Sequence, residues 1–315
     1  MAFFLAPGIA MSQQLARVGW ISPGSQKGLG YLLDAFKQGM RETGLTEAKD
    51  YVMDEQWADG RYERFPDMTK AVIARKPRVI VVGTIASVRV AQRLTKTIPI
   101  VFCSVNDPVG SGLVKTLARP GGNTTGVATL SEETTVKQLQ ILHEVVPKAT
   151  RIAVLANPGN PSNLDFYESA AAASPSLGVT LHRIDVKAPE EVEIAFTSML
   201  KVKARALLVL PDGALMSLRE SICMLALKNR LPVMGSPDFA AVGGLVGFGS
   251  VRTENYRLAG TYMKKIFGGL DAGEIPVEQA RKIELWINSA TAHALGLKIP
   301  AAVMGRVDKI VGQRL

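Results

Sequence analysis

The chain is poor in the residues from which reactive sites are most often built. Two cysteines and three histidines in 315 residues are too few for a disulfide framework or a multi-metal site. No apolar run reaches the roughly eighteen residues of a membrane span, which excludes an integral membrane protein crossing on apolar helices. The motifs of several enzyme classes are missing as well. Gly24, Gly28 and Gly30 are wrongly spaced for the dinucleotide motif G-x-G-x-x-G. There is no G-x-x-x-x-G-K-[ST] phosphate loop, no G-x-S-x-G nucleophile elbow and no H-E-x-x-H zinc helix. No catalytic residue, metal or cofactor is expected.

Acidic residues are in deficit, 28 against 37 basic ones, for a net charge of +9. The basic residues are nevertheless scattered, as at Lys70, Arg75, Lys76 and Arg78, or Lys201, Lys203 and Arg205. No basic run is interleaved with aromatics, so nucleic acid is not an expected partner. What remains is a chain 47% hydrophobic and 21% charged, able to bury a core and long enough for two domains.

The first ten residues, Met1–Ala10, are apolar and end with Gly8 and Ala10 at the −3 and −1 positions of a possible cleavage site. The positive n-region of a secretory signal is missing. The alternatives are a truncated signal, which is favoured, and a frayed apolar tail; either way residues 1–16 stand outside the fold.

From there on, short apolar runs alternate with amphipathic patterns. Strands are expected at Val18–Ile21, Val79–Val82, Ile100–Phe102, Ile152–Leu155, Leu207–Leu210 and Val233–Met234. Leu32, Ala35, Phe36, Gly39 and Met40 form one helical stripe, and Val136, Leu139, His143 and Val146 another. The alternation predicts an α/β fold with parallel sheets. The pattern also occurs twice. Arg17-Val-Gly-Trp-Ile is echoed 134 residues later by Arg151-Ile-Ala-Val-Leu. Lys76-Pro-Arg-Val-Ile and Lys203-Ala-Arg-Ala-Leu lie 127 apart, and Ile98-Pro-Ile-Val and Leu231-Pro-Val-Met 133 apart. A shared order at a near-constant offset implies two lobes of one topology.

Two such lobes place the loops after their strands around one cleft. Those loops carry Ser22, Gly83, Thr84, Ser104, Asn106, Asp107, Asn157, Asn160, Ser162, Asp212 and Asp238, with Ser236 beside the last. Such groups suit a small polar or anionic molecule, and equally serve as helix caps and turn formers. His143, on a helical stripe, and His182, in a strand, read as structural. A two-cysteine racemase fails on symmetry, because Cys103 has Ser236 as its repeat-mate and Cys223 lies in a helical stretch.

Ile98-Pro-Ile-Val-Phe, Asn106-Asp-Pro-Val-Gly and Arg119-Pro-Gly-Gly-Asn-Thr-Thr-Gly-Val127 together resemble a block of the ABC-transporter substrate-binding proteins related to tryptophan- and tyrosine-type binders. Trp57-Ala-Asp-Gly-Arg-Tyr-Glu-Arg64 and Glu284–Leu297 support the likeness, which runs from Arg17 to the C-terminus. The resemblance implies a type I periplasmic binding protein with two Rossmann-like lobes and three crossovers, near Gly126–Thr129, Gly247–Val251 and Ile283–Ile287. The lobes would then comprise residues 17–126 with 248–284, and 127–247 with 285–315. It further implies secretion to the periplasm, a small-molecule solute, an ABC permease as membrane partner and a monomer. Thr84 and Ser104 are implied for a ligand carboxylate, Asp107 or Asp212 for an ammonium, and Trp57, Phe239 and Phe248 for stacking. The loops Thr84-Ile-Ala-Ser and Pro211-Asp-Gly-Ala depart from the tryptophan-type pattern, which leaves the solute open among amino acids and aromatic or other organic acids. Two other readings compete: a lyase or isomerase in the cleft, and the ligand-sensing core of a transcription regulator. The sixteen residues before Arg17, mostly apolar and none of them basic, hold no recognition helix for the latter.

Overall fold

A parallel strand covered by helices on both faces meets no water, so it is apolar throughout, and the runs that read that way become the central strands. The computed structural model describes residues 15–129 and 131–312. Met1–Ala10, with its expected signal character, lies outside them. The first sheet contains β1 (Ala16–Ser22), β2 (Tyr51–Trp57), β3 (Val79–Val82), β4 (Ile100–Asn106), β5 (Thr124–Thr129) and the late β11 (Glu278–Gln279). The second contains β6 (Arg151–Ala156), β7 (Thr180–Asp185), β8 (Ala206–Val209), β9 (Val233–Gly235), β10 (Val246–Ser250), β12 (Ile283–Asn288) and β13 (Lys309–Val311).

Strand order is β11-β5-β4-β3-β1-β2 in one sheet and β13-β12-β10-β9-β8-β6-β7 in the other. The runs β5-β4-β3-β1-β2 and β10-β9-β8-β6-β7 are the same arrangement, so the sequence repeat is a repeat of topology. The first sheet is wholly parallel. In the second, β12 runs antiparallel to β10, because the chain returns there from the other lobe.

The chain passes between sheets after Thr129, after Ser250 and between Gln279 and Ile283. β5 therefore belongs whole to the first sheet and β10 whole to the second, which moves the changeovers off the expected 126/127, 247/248 and 284/285. After the second crossover the helix Arg252–Phe267 packs on the helix Gln26–Glu42, burying Tyr262, Met263 and Ile266 with Phe36 and Met40 in one apolar core. The stripe at Leu32, Ala35, Phe36, Gly39 and Met40 is the buried face of that first helix. The helix Ser131–Val145 buries Leu139, Ile141 and Leu142 in the core of the second lobe.

Candidate functional site

Parallel strands end together, so their trailing loops and helix starts gather along one edge of each sheet. The two edges face each other across a cleft, lined from the first lobe by the ends of β3 and β4 and from the second by the loops after β6 and β8 and by β10. The crossovers contribute Thr129, Arg252, Gln279 and Ala280. Its interior leaves about 80 Å³ open to the centre of a water-sized sphere. One water needs roughly 10–15 Å³ on that measure, so a molecule of several heavy atoms fits.

Nine of the residues expected from the sequence line this cleft: Gly83, Thr84, Ser104, Asn106, Asn160, Ser162, Asp212, Ser236 and Phe248. Thr84 caps the helix Ile85–Leu94, its hydroxyl accepting from the Ser87 N–H at 3.1 Å while Ser87 Oγ accepts from the Thr84 N–H. Ser104 sits where the β4–β5 register shifts between Phe102 and Val105, at φ 61°. That left-handed conformation is unusual for a serine and typical of functional bulges. Asn255 Nδ2 donates to Ser104 Oγ at 3.1 Å and to Ser250 Oγ at 3.2 Å, joining the end of β4 to the end of β10.

Asp212 is buried and caps the helix Gly213–Ser217, accepting from the Leu215 N–H at 2.9 Å. Its carboxylate also accepts from Tyr62 Oη at 2.7 Å, Asn160 Nδ2 at 3.1 Å and Asn157 Nδ2 at 3.3 Å. Four donors match the number of lone-pair sites a carboxylate offers. Burial, followed by the charge of Asp212, raises the Tyr62 phenol well above its ordinary range, so it remains a donor.

Six expected residues lie elsewhere. Ser22 is buried at the end of β1, outside the cleft lining, its carbonyl accepting from the Ala58 N–H. Trp57 packs near Trp20, with ring centroids 6.3 Å apart, and donates to Glu55. Asp107 is exposed and accepts from the Gly110 N–H at 2.9 Å, closing its own turn. Asn157 is buried beneath Asp212 as one of its donors. Asp238 accepts from Tyr31 Oη at 2.8 Å. Phe239 is 2% exposed and belongs to the core, which corrects its expected stacking role. Cys103 and Cys223 are buried, and burial raises both thiols, that of Cys223 to about 12.

The sequence reading missed two wall residues of particular chemical interest. Gln138, on the helix Ser131–Val145, is 1% exposed and donates to the carbonyls of Phe248 at 2.6 Å and Gly235 at 3.1 Å. Its Oε1 is buried with no hydrogen-bond partner among the described residues. It lies three and four positions before the core residues Ile141 and Leu142, and that helical spacing was its available signal. Arg252 opens the helix after β10 and makes no hydrogen bond or ion pair among the described residues. The rule that flagged the other post-strand loops applies to it equally.

The family model described as ABC transporter substrate binding protein matches residues 18–311. A tyrosine-binding protein of Clostridioides difficile (strain R20291) is 26% identical over 273 residues, spanning 84% of this chain and 78% of that protein. Among solved structures, an ABC domain in complex with L-Trp from Streptococcus pneumonia superposes with a TM-score of 0.84 at 22% identity, covering 94% of this chain and 100% of that one. A ligand-free, open substrate-binding protein from Clostridium difficile, also 22% identical and covering 95% and 100%, reaches 0.61. Both share the two-lobed type I fold, and with the family match over nearly its whole length, the chain belongs to the ABC transporter substrate-binding proteins.

Proposed function

We propose that this chain captures an amino acid between its lobes and presents it to an ABC permease for import. The observation that carries the reading is the presence, in the lining of one cleft, of a guanidinium without an ion-pair partner and a buried acceptor that lacks a donor among the described residues. Arg252 supplies the positive charge for a carboxylate, joined by the hydroxyls of Thr84 and Ser104. Gln138 Oε1 supplies the acceptor for an ammonium, and leaving such a group unsatisfied is costly. Phe166 and Phe248 give the wall an apolar patch for the side chain. The tyrosine-binding relative and the L-Trp-bound structure support an aromatic amino acid within this class.

The mechanism is closure. Two rigid lobes joined at three crossovers rotate together, and the solute completes hydrogen bonds on both sides of the cleft. The permease then reads the closed form. The protein acts as a monomer outside the cytoplasmic membrane. No bond of the solute changes: the ionisable groups of the wall, among the described residues, are Asp212 and Arg252, and Asp212 is occupied by four protein donors.

A thermal-shift screen over the amino acids, aromatic acids and other small organic solutes tests this reading. A solute at about 100 times its dissociation constant adds about 2.7 kcal/mol, a rise of a few degrees. The expected hit is an amino acid recovered chemically unaltered. Stabilisation only by solutes lacking an amino group, or a solute recovered as a new compound, contradicts it.

A further inference from the structure

A contact made only in the closed form sets how tightly a solute is held, wherever in the molecule that contact lies. The crossovers leave from β5, β10 and β11, toward one end of each sheet. Away from that end, the start of the helix Gln26–Glu42, after β1, meets the segment Gly213–Arg219, after β8. Ser217 Oγ accepts from the Ser25 N–H at 3.0 Å and lies 3.2 Å from Ser25 Oγ. Arg219 Nη1 donates to the Gly28 carbonyl at 2.6 Å, and its guanidinium stands 4.7 Å from the ring centre of Tyr31.

Gly28 lies in the middle of this seam. A Cβ there would overlap both the hydroxyl and the carbonyl of Ser217. Its own backbone is ordinary right-handed helix, where glycine is a poorer choice than alanine. The helix therefore does not call for glycine, whereas the partner across the seam does. Neither Gly28 nor Ser217 lines the cleft.

We infer that Gly28 and Ser217 form the closing seam of the clamp, positioning residues that set solute affinity without touching the solute. The inference rests on the importer reading above for what the closure captures.

The first arm of the test needs no solute. A Ser25→Cys/Ser217→Cys double variant, whose parent hydroxyls lie within reach of a disulfide, is oxidised with diamide or reduced with dithiothreitol, then measured by small-angle X-ray scattering. The cross-linked form is expected to be compact and the reduced form larger in radius of gyration. Equal radii would mean a permanent contact and would overturn the inference.

The second arm is Gly28→Ala, titrated with L-tyrosine and L-tryptophan. The solute-free variant is expected to melt no lower than wild type, and to bind the probe that wild type binds roughly tenfold or more weakly. Unchanged affinity overturns the seam, as does a lowered melting point without solute. Wild type binding neither probe counts against the amino-acid reading alone, and the cross-link arm still decides the seam.

Discussion

Tyr62 follows the last strand of one sheet edge and Asp212 belongs to the other lobe, yet the Tyr62 hydroxyl donates to Asp212 Oδ2 at 2.7 Å. The same carboxylate caps the helix Gly213–Ser217 and is held by Asn157 and Asn160. One buried acid thus serves as part of the cleft wall and as an anchor between the lobes.

Replacing that donor separates closure from folding. In Tyr62→Phe, Asp212 keeps its three donors from the second lobe, and each lobe keeps its core. A hydrogen bond to a charged group contributes about 1.5–3 kcal/mol, so affinity is expected to fall roughly ten- to a hundredfold. Calorimetric titration checks this, with a solute-free melt as control. A variant that binds like wild type but melts several degrees lower would show the bond to serve folding instead.

Arg252→Met removes the free guanidinium and keeps most of the apolar stem. Binding of a carboxylate-bearing solute is expected to weaken by about 1.5–3 kcal/mol, with the melting temperature unmoved because no ion pair is lost. Affinity equal to wild type for the amino acid, and for its amide, would remove Arg252 from recognition.

Asp107→Ala has the opposite expectation. Asp107 is exposed, sits at φ 32° and accepts from Gly110 N–H. The variant is expected to cost about 1 kcal/mol in stability and to leave binding unchanged. A tenfold loss of affinity at an unchanged melting temperature would return Asp107 to the site.

The contrast between Asp107 and Asp212 shows where the sequence stops informing. Both follow a strand, and both read as candidate acids. Only the packing of the two lobes brings three side-chain donors from distant loops, Tyr62, Asn157 and Asn160, onto one of them. The central strands were legible because Val79–Val82 and Ile152–Leu155 are apolar on both faces. β2 and β7 are sheet-end strands with half-exposed residues, so the mixed pattern of β2 did not read as a strand, and β7 showed only as the strand placed around His182. β11 has two residues and is defined by its pairing with Val127 and Ala128 rather than by any run of its own. Trp57 and Phe239 are aromatic near a cleft, a description that fits a stacking platform and a core residue equally. Gln138 reaches the wall from a helix rather than a loop, so the post-strand rule could not find it.

Stability is expected to decline in alkali. Burial raises the phenols of Tyr31, Tyr62, Tyr256 and Tyr262, and pushes Tyr51 up to about 12. The unfolded chain loses these protons near pH 10 and the folded chain later. The folded state therefore binds more protons across that interval, and stability falls as pH rises. It is fully present below about pH 10 and lost as pH climbs through the folded values. Denaturant melts at pH 9 and 11, with tyrosinate absorbance followed in parallel, check this. Equal stability at both, with tyrosinate forming at its ordinary pH, would contradict it.

The most direct measurement is small-angle X-ray scattering of the intact protein with and without an amino acid at a concentration shown by calorimetry to saturate it. Closure of two lobes on a solute predicts a smaller radius of gyration in its presence, with the amino acid recovered unaltered. Superimposable profiles at saturation would contradict the clamp.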